Sequence, residues 1–191
     1  MIIIRPSRVF RWIVRLFLLV FTLSLSAVSL LGGFSAVTIF DPNVNNVNIP
    51  DGDITANFDI NNPSGMFINV PFNISNSGVY DLTKIRLRFQ VAMTYDDAST
   101  PLNDTTNVKI FDKEQFFGSV SQGVTLKANL TGSVSDGFIV ANLPDPSTEV
   151  DWYRTPYALE FYANLTFSAS YSLNLYTFAV NIINFTAGHF P

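Results

Sequence analysis

Few residues in this sequence are equipped for chemistry, and carboxylates lead them. Asp96 and Asp97 stand together in a polar stretch and Asp136 in another, the kind of placement a hydrolase of extracellular glycans needs for a paired acid and base. Acids in β-turns more often accept backbone N–H groups and serve the turn. The single histidine, His189, lies close to the last residue given, where a tail outside the fold is expected rather than a general base. A nucleophilic serine would need a base beside a Gly-x-Ser-x-Gly element, and the sequence offers none. Asp41, Asn43 and Asn45 match the opening of a calcium loop. Asn46 stands where the glycine is needed and Gly52 where the bidentate glutamate is, so a solvated connector is expected. Trp152, Tyr153 and Tyr157 are aromatics for a sugar or partner site, weighed against core or rim packing. No catalytic, cofactor-binding or metal-ligating residue emerges, and the chain reads as a protein that is not an enzyme.

Composition narrows the classes further. There is no cysteine, which excludes disulfides, zinc thiolate sites and thiol nucleophiles. All 15 Asp and Glu follow residue 40, whereas four of the 11 Lys and Arg precede it, leaving 7 − 15 = −8 for the remainder. A nucleic-acid partner would need a basic face, so none is expected. Five Asn-X-Ser/Thr sequons begin at Asn73, Asn103, Asn129, Asn164 and Asn184 and are candidate glycosylation sites if the chain is exported.

The element that decides export is residues 16–40, a run with no charge, preceded by Arg5, Arg8, Arg11 and Arg15. As a helix it spans about 37 Å at 1.5 Å per residue, enough for a hydrocarbon core of ~30 Å with some tilt. The arginines and Trp12 suit a headgroup layer, where long basic stems snorkel and indole rings settle, and are the expected membrane-interface anchors. Positive charge marks the cytoplasmic side, giving a cytoplasmic N-terminus and an extracytoplasmic remainder at the cell membrane. The competing reading is a cleaved signal peptide, with small residues at Ala27, Val28 and Ser29. Apolar character continues well past that point, which favours an anchor. The expected organisation is a basic tail over 1–15, a transmembrane helix over 16–40, a linker over 41–53 and an extracytoplasmic domain over 54–191.

From residue 54 onward the apolar period is two. Strands are predicted around 44–49, over 54–60, 68–75 and 84–95, at 108–111 and 116–120, and over 124–131, 138–143 and 159–168. Residues 84–95 are the clearest: Ile85, Leu87, Phe89, Val91, Met93 and Tyr95 alternate with Lys84, Arg86, Arg88, Gln90 and Thr94, and a one-residue slip would bury the basic side chains. Those basic residues form either an anion-binding stripe or, in the favoured reading, a solvated face. Pro71 points to an edge or a locally unpaired position. Asp145 and Pro146 predict the start of one short helix. Residues 172–185 carry apolar groups on both faces, as a strand does that is buried twice or paired outside the domain. The fold class expected is all-β, an immunoglobulin-like antiparallel β-sandwich preceded by one N-terminal transmembrane helix.

Val47-Asn48-Ile49, then Ile54 through Phe58 (ITANF), Phe72 through Leu82 (FNISNSGVYDL) and Gly118 through Gly132 (GSVSQGVTLKANLTG) resemble the group 2 late-embryogenesis-abundant, or water-stress and hypersensitivity, domain. The architecture resembles the plant harpin-induced-like membrane proteins of that group. Asn76-Ser77-Gly78 stands where the group has Asn-Pro-Asn, and residues 72–89 also resemble exported adhesion-type β-sandwich modules of archaea and bacteria. The resemblance implies a fold and an architecture, with no catalytic residues. The function expected is a membrane-anchored, non-catalytic binding or structural module, or an accessory subunit of a membrane or cell-surface complex. Its partners would be the lipid bilayer and other membrane or cell-surface proteins, or itself. The alternative is a secreted, glycosylated filament or sheath subunit assembled by strand donation.

Overall fold

In the computed structural model the described residues are 6–39, 46–100, 104–154, 156–171 and 176–190, and the side chains of 6–11 and 187–190 are not among those described. Arg5, Asp41, Asn43, Asn45 and Asn103 therefore lie outside the description, as do the side chains of Arg8, Arg11 and His189.

Among the described residues one helix, α1 (Pro6–Ile39), precedes eight strands. It starts inside the stretch expected as a tail, because Pro6 suits a first helical position and nothing between it and the apolar run breaks the backbone. The segment Trp12–Ile39 has a mean hydropathy of 2.2 and is long and apolar enough to cross a membrane. Only its last turns are covered. Gly32, Ser35, Ala36 and Ile39 recur at helical spacing and are buried, and Ala36 and Ile39 join the core of the sheets.

The strands are β1 (Val47–Asn48), β2 (Thr55–Asn57), β3 (Phe67–Ser75), β4 (Thr83–Asp96), β5 (Thr105–Phe117), β6 (Thr125–Ser133), β7 (Leu159–Tyr171) and β8 (Tyr176–Phe190). They form two four-stranded sheets in which every named pairing is antiparallel. In the first, β3 is flanked by β6 on one side and by β1 and β2 in succession on the other. The second runs β5-β4-β7-β8. Alternating side chains of β3, β4 and β7 meet in one core, with Val70, Phe72, Leu87, Phe89, Val91, Phe161 and Phe167 all buried. In β4 the six predicted inward residues are all buried, and Thr94, expected on the outward face, is buried with them, its hydroxyl accepting from Asn107 Nδ2 at 2.9 Å. Pro71 sits where Asn48 has finished opposite Asn73 and Thr55 has not begun opposite Asn69, so on that side the absent N–H breaks no ladder.

Several expected boundaries shift. The two short strands at 108–111 and 116–120 are one strand, β5, bulged at Ile110: Val91 pairs with Phe111 and Ala92 with Lys109. The extra residue turns Ile110 and Phe111 both inward, which hides the period of two. Residues 138–143 form a 3-10 turn at Val140–Asn142 instead of a strand. The helix expected after Asp145 is a turn closed by Glu149 N–H on the Asp145 carbonyl at 2.9 Å. The connector at 41–53 is partly structural, since Asn46 is buried and β1 belongs to the first sheet. The last strand, β8, is neither buried on both faces nor a tail. It is the edge of the second sheet, paired with β7 along its length, and His189 lies opposite Glu160 in that ladder. Ile183 on β8 is 69% exposed.

The two flanks of the stacked sheets differ. Beside β5 and β6, Lys113 Nζ donates to the Thr131 carbonyl at 2.5 Å and pairs with Asp136, while Phe111 packs edge-on against Phe138 at 4.9 Å. Beside β2 and β8, two cavities of about 280 and 170 Å³ share Ile54 and Phe185 in their walls, the smaller one mainly apolar.

Candidate functional site

Strand direction sorts the loops into two ends. At one end lie the last turns of α1, residues 75–83 and 117–125, and the paired Tyr171 and Tyr176 of β7 and β8. The other, distal end holds residues 97–100 and 104, residues 145–154 and 156–158, and the turn after β2.

The helix end is built around two amides and a phenol. Asn76 is 1% exposed and satisfies all four of its amide bonds. Its Nδ2 donates to the Tyr80 carbonyl at 2.9 Å and to the Val120 carbonyl at 2.8 Å. Its Oδ1 accepts the Gly78 N–H at 3.0 Å and the Tyr171 hydroxyl at 2.7 Å. Burial pushes the Tyr171 phenol up to about 12, so it remains a donor throughout the physiological range. The helix plugs into this turn. Ser35 Oγ donates back to the Leu31 carbonyl at 2.8 Å and accepts the Val79 N–H at 2.9 Å. Asn46 Nδ2 spans from the Thr38 carbonyl at 2.9 Å to Ser77 Oγ at 2.7 Å. A Cβ at Gly78 would stand 2.7 Å from Ser35 Cβ and 2.9 Å from the Tyr171 hydroxyl, so only glycine lets helix and sheet approach this closely. Buried polar groups with every partner in place fix one geometry. The helix meets the sheets through these hydrogen bonds and the close approach at Gly78. Little in the sequence points to this joint, because Ser35 reads as a mild defect in an apolar run; the stripe Gly32, Ser35, Ala36 was the available signal.

At the distal end the predicted acids go to separate partners. Asp96 accepts from Thr105 Oγ1 at 2.8 Å and pairs with Arg154 at 3.3 Å, and Arg154 reaches Glu160 at 3.2 Å. Asp97 accepts the Ser99 N–H at 2.9 Å and its hydroxyl at 2.5 Å, which is turn chemistry. Asp136 lies with Lys113 in another part of the molecule. Trp152 donates Nε1–H to the Pro146 carbonyl at 2.7 Å and borders a small hollow of about 110 Å³ with Phe58, Ile60 and Leu159. Tyr153 beside it is 93% exposed, and Tyr157 is partly buried.

The two arginines of the basic stripe on β4 meet acids across the sheet. Asp112 on β5 accepts from Arg88 Nε at 2.8 Å and Nη2 at 2.7 Å, from Gln90 at 2.9 Å and from Lys109 at 3.0 Å. The Arg88 fork, with Gln90 and Lys109, holds this carboxyl well below the usual carboxylate range. Arg86 lies over the Phe116 ring at 4.8 Å and within 4.0 Å of Glu114. Of the described sequon residues, Asn129 on edge strand β6 and Asn184 on edge strand β8 are exposed, whereas Asn73 and Asn164 stand half-buried on central strands. Asn164 Oδ1 also accepts the Asn184 N–H at 2.7 Å. Among the anchors, Trp12 and Arg15 lie on the exposed part of α1.

No protein-family model matches the chain, and no curated protein matches it. Among solved structures the chain is similar to Spo0M, a sporulation control protein from Bacillus subtilis, with a TM-score of 0.33 and 13% identity over 74% of this chain and 49% of that one. The chain thus spans about half the length of that protein, and a likeness this slight carries no argument about family or function.

Proposed function

We propose that the chain is a single-pass membrane protein whose N-terminus is cytoplasmic and whose immunoglobulin-like sandwich stands outside, as a non-catalytic binding or structural module or an accessory subunit of a membrane or cell-surface complex. The observation that carries this is the joint. A transmembrane helix locked into the sheets through Ser35, Asn46 and Gly78 holds the sandwich at a fixed attitude to the bilayer. The distal end then points away from the membrane and presents Trp152 and Tyr153, the kind of aromatics that anchor protein interfaces. Four arginines before the apolar run support the orientation. Membership of the water-stress and hypersensitivity group rests on the sequence resemblance alone, and glycans on Asn129 and Asn184 would suit their exposed edge positions.

The test is to purify the protein from its native membrane in mild detergent, beside a variant carrying Trp152→Ala and Tyr153→Ala. The wild type should retain a neighbour that the variant loses. A lone monomer in both preparations would refute the partner-binding role, and digestion from the cytoplasmic side only would refute the orientation. One feature favours the second reading, a secreted subunit assembled by strand pairing: β8 is a long open edge with no Lys, Arg, Asp, Glu or Pro in it. N-terminal sequencing of the mature protein separates the two, since that reading requires the chain to begin after residue 29.

A further inference from the structure

We propose that the helix end of the sandwich is itself a lipid-binding surface, seated in the headgroup layer rather than held clear of it. This deepens the membrane-anchored reading and rests on it. The exposed apolar surface of α1 does not stop where docking begins. Gly32 is the first buried residue of the joint, yet Phe34 and Val37, on the opposite side of the same turns, are exposed, Val37 by 70%. The rise from Gly32 to Val37 is about 7.5 Å at 1.5 Å per residue. The polar layer on each side of a bilayer is roughly 5–7 Å thick, the difference between total and hydrocarbon thickness shared between two faces. From Trp12 to Leu31 the helix rises about 29 Å, which fills the hydrocarbon core and brings the first docked turn to its boundary.

The sheet loops beside those turns match such a layer. Val79, whose N–H binds Ser35, is 43% exposed, and Val124, whose carbonyl accepts the Asn76 N–H, is 50% exposed. Tyr176 stands by Gly33 with part of its ring open, the amphipathic shape favoured at membrane interfaces. Charge is distributed to suit. Between them, residues 75–83 and 117–125 hold one charged side chain, Asp81, whereas Asp96, Asp97, Asp104, Asp145, Glu149 and Asp151 gather at the distal end. An anionic end turned away from the bilayer and an end with a single carboxylate, its exposed valines continuous with the apolar face of the spanning helix, fit one occupant, the boundary between acyl chains and headgroups.

The cysteine-free chain allows a direct test. Leu23→Cys, Val79→Cys, Val124→Cys and Tyr153→Cys, made separately in the full-length protein, are labelled with a nitroxide and reconstituted in phosphatidylcholine vesicles. Collision with oxygen, which concentrates in lipid, is compared with collision with a water-soluble nickel complex. Oxygen should dominate at 23, 79 and 124, and nickel at 153. If 23 reports lipid while 79 or 124 reports water, the sandwich stands clear of the membrane and the inference fails on its own. If 23 reports water, the membrane reading beneath it fails. Lipid at 153 would mean a body lying flat, which also overturns the end-on seating.

Discussion

Asn76→Ala tests whether the buried turn holds the sandwich together. Substitution removes four hydrogen bonds at once, and their partners are not equally stranded. Val120 O keeps the Leu82 N–H at 2.9 Å, but the Tyr171 hydroxyl, the Gly78 N–H and the Tyr80 carbonyl lose what Asn76 supplied. Each buried group left without a partner costs about 1–3 kcal/mol. Water entering the vacated space offsets part of this, and the expected loss is about 3–6 kcal/mol against a typical domain stability of about 5–15 kcal/mol. Tyr171→Phe is the calibrating variant. It deletes one donor while Asn76 Oδ1 keeps the Gly78 N–H, so it should cost only about 1 kcal/mol. Ser35→Ala separates the joint from the sheets, because it strands only the Val79 N–H and should leave sheet stability within about 1 kcal/mol of wild type. The assay is urea unfolding of the full chain in detergent micelles, followed by the far-ultraviolet signal of the sheets. An Asn76→Ala midpoint equal to that of Tyr171→Phe would refute the reasoning.

Three further outcomes follow from the packing and the charges. The Asp112 carboxyl is depressed in the folded protein, so its contribution is complete above the unfolded carboxylate range near pH 4 and is lost as pH falls toward the folded value. Wild type should therefore lose about 1 kcal/mol more than Asp112→Asn between pH 7 and pH 3, read from paired urea titrations. A Cβ at Gly132 would lie 2.5 Å from Phe111 Cζ and 3.0 Å from Ile68 Cγ2; Gly132→Ala should cost about 1–3 kcal/mol, and Phe111→Leu should relieve part of it in a double-mutant cycle. Ile183→Lys, on the open face of β8, should change stability by less than about 0.5 kcal/mol, and any self-association it abolishes would count for pairing through that edge.

Much of the fold was legible because backbone geometry writes itself into sequence with a short period. The strands β3, β4 and β7 alternate inward apolar residues with mostly polar ones over most of their length, and the basic side chains of β4 fix which face is inward. Where that period breaks, so did the reading. At Ile110 a bulge turns two neighbours inward and one strand looked like two. In β8 apolar residues line an exposed edge; composition suggested either burial on both faces or pairing outside the domain, and the edge position removes the first. The distal acids were visible as acids, but their partners were not, because Arg154 meets Asp96 only where two loops are folded together.

The sequence by itself determined that an apolar, cysteine-free chain with an arginine-rich start carries one helix long enough to span a bilayer, followed by alternating strands. Local spacing and hydropathy suffice for that, since they act between near neighbours. Tertiary structure alone decided that the helix is fastened to the sheets. Ser35 meets Val79 and Asn76 meets Tyr171 across long stretches of chain, and each contact exists only because the packed sheets bring distant segments together, with water excluded from Asn76 and Tyr171.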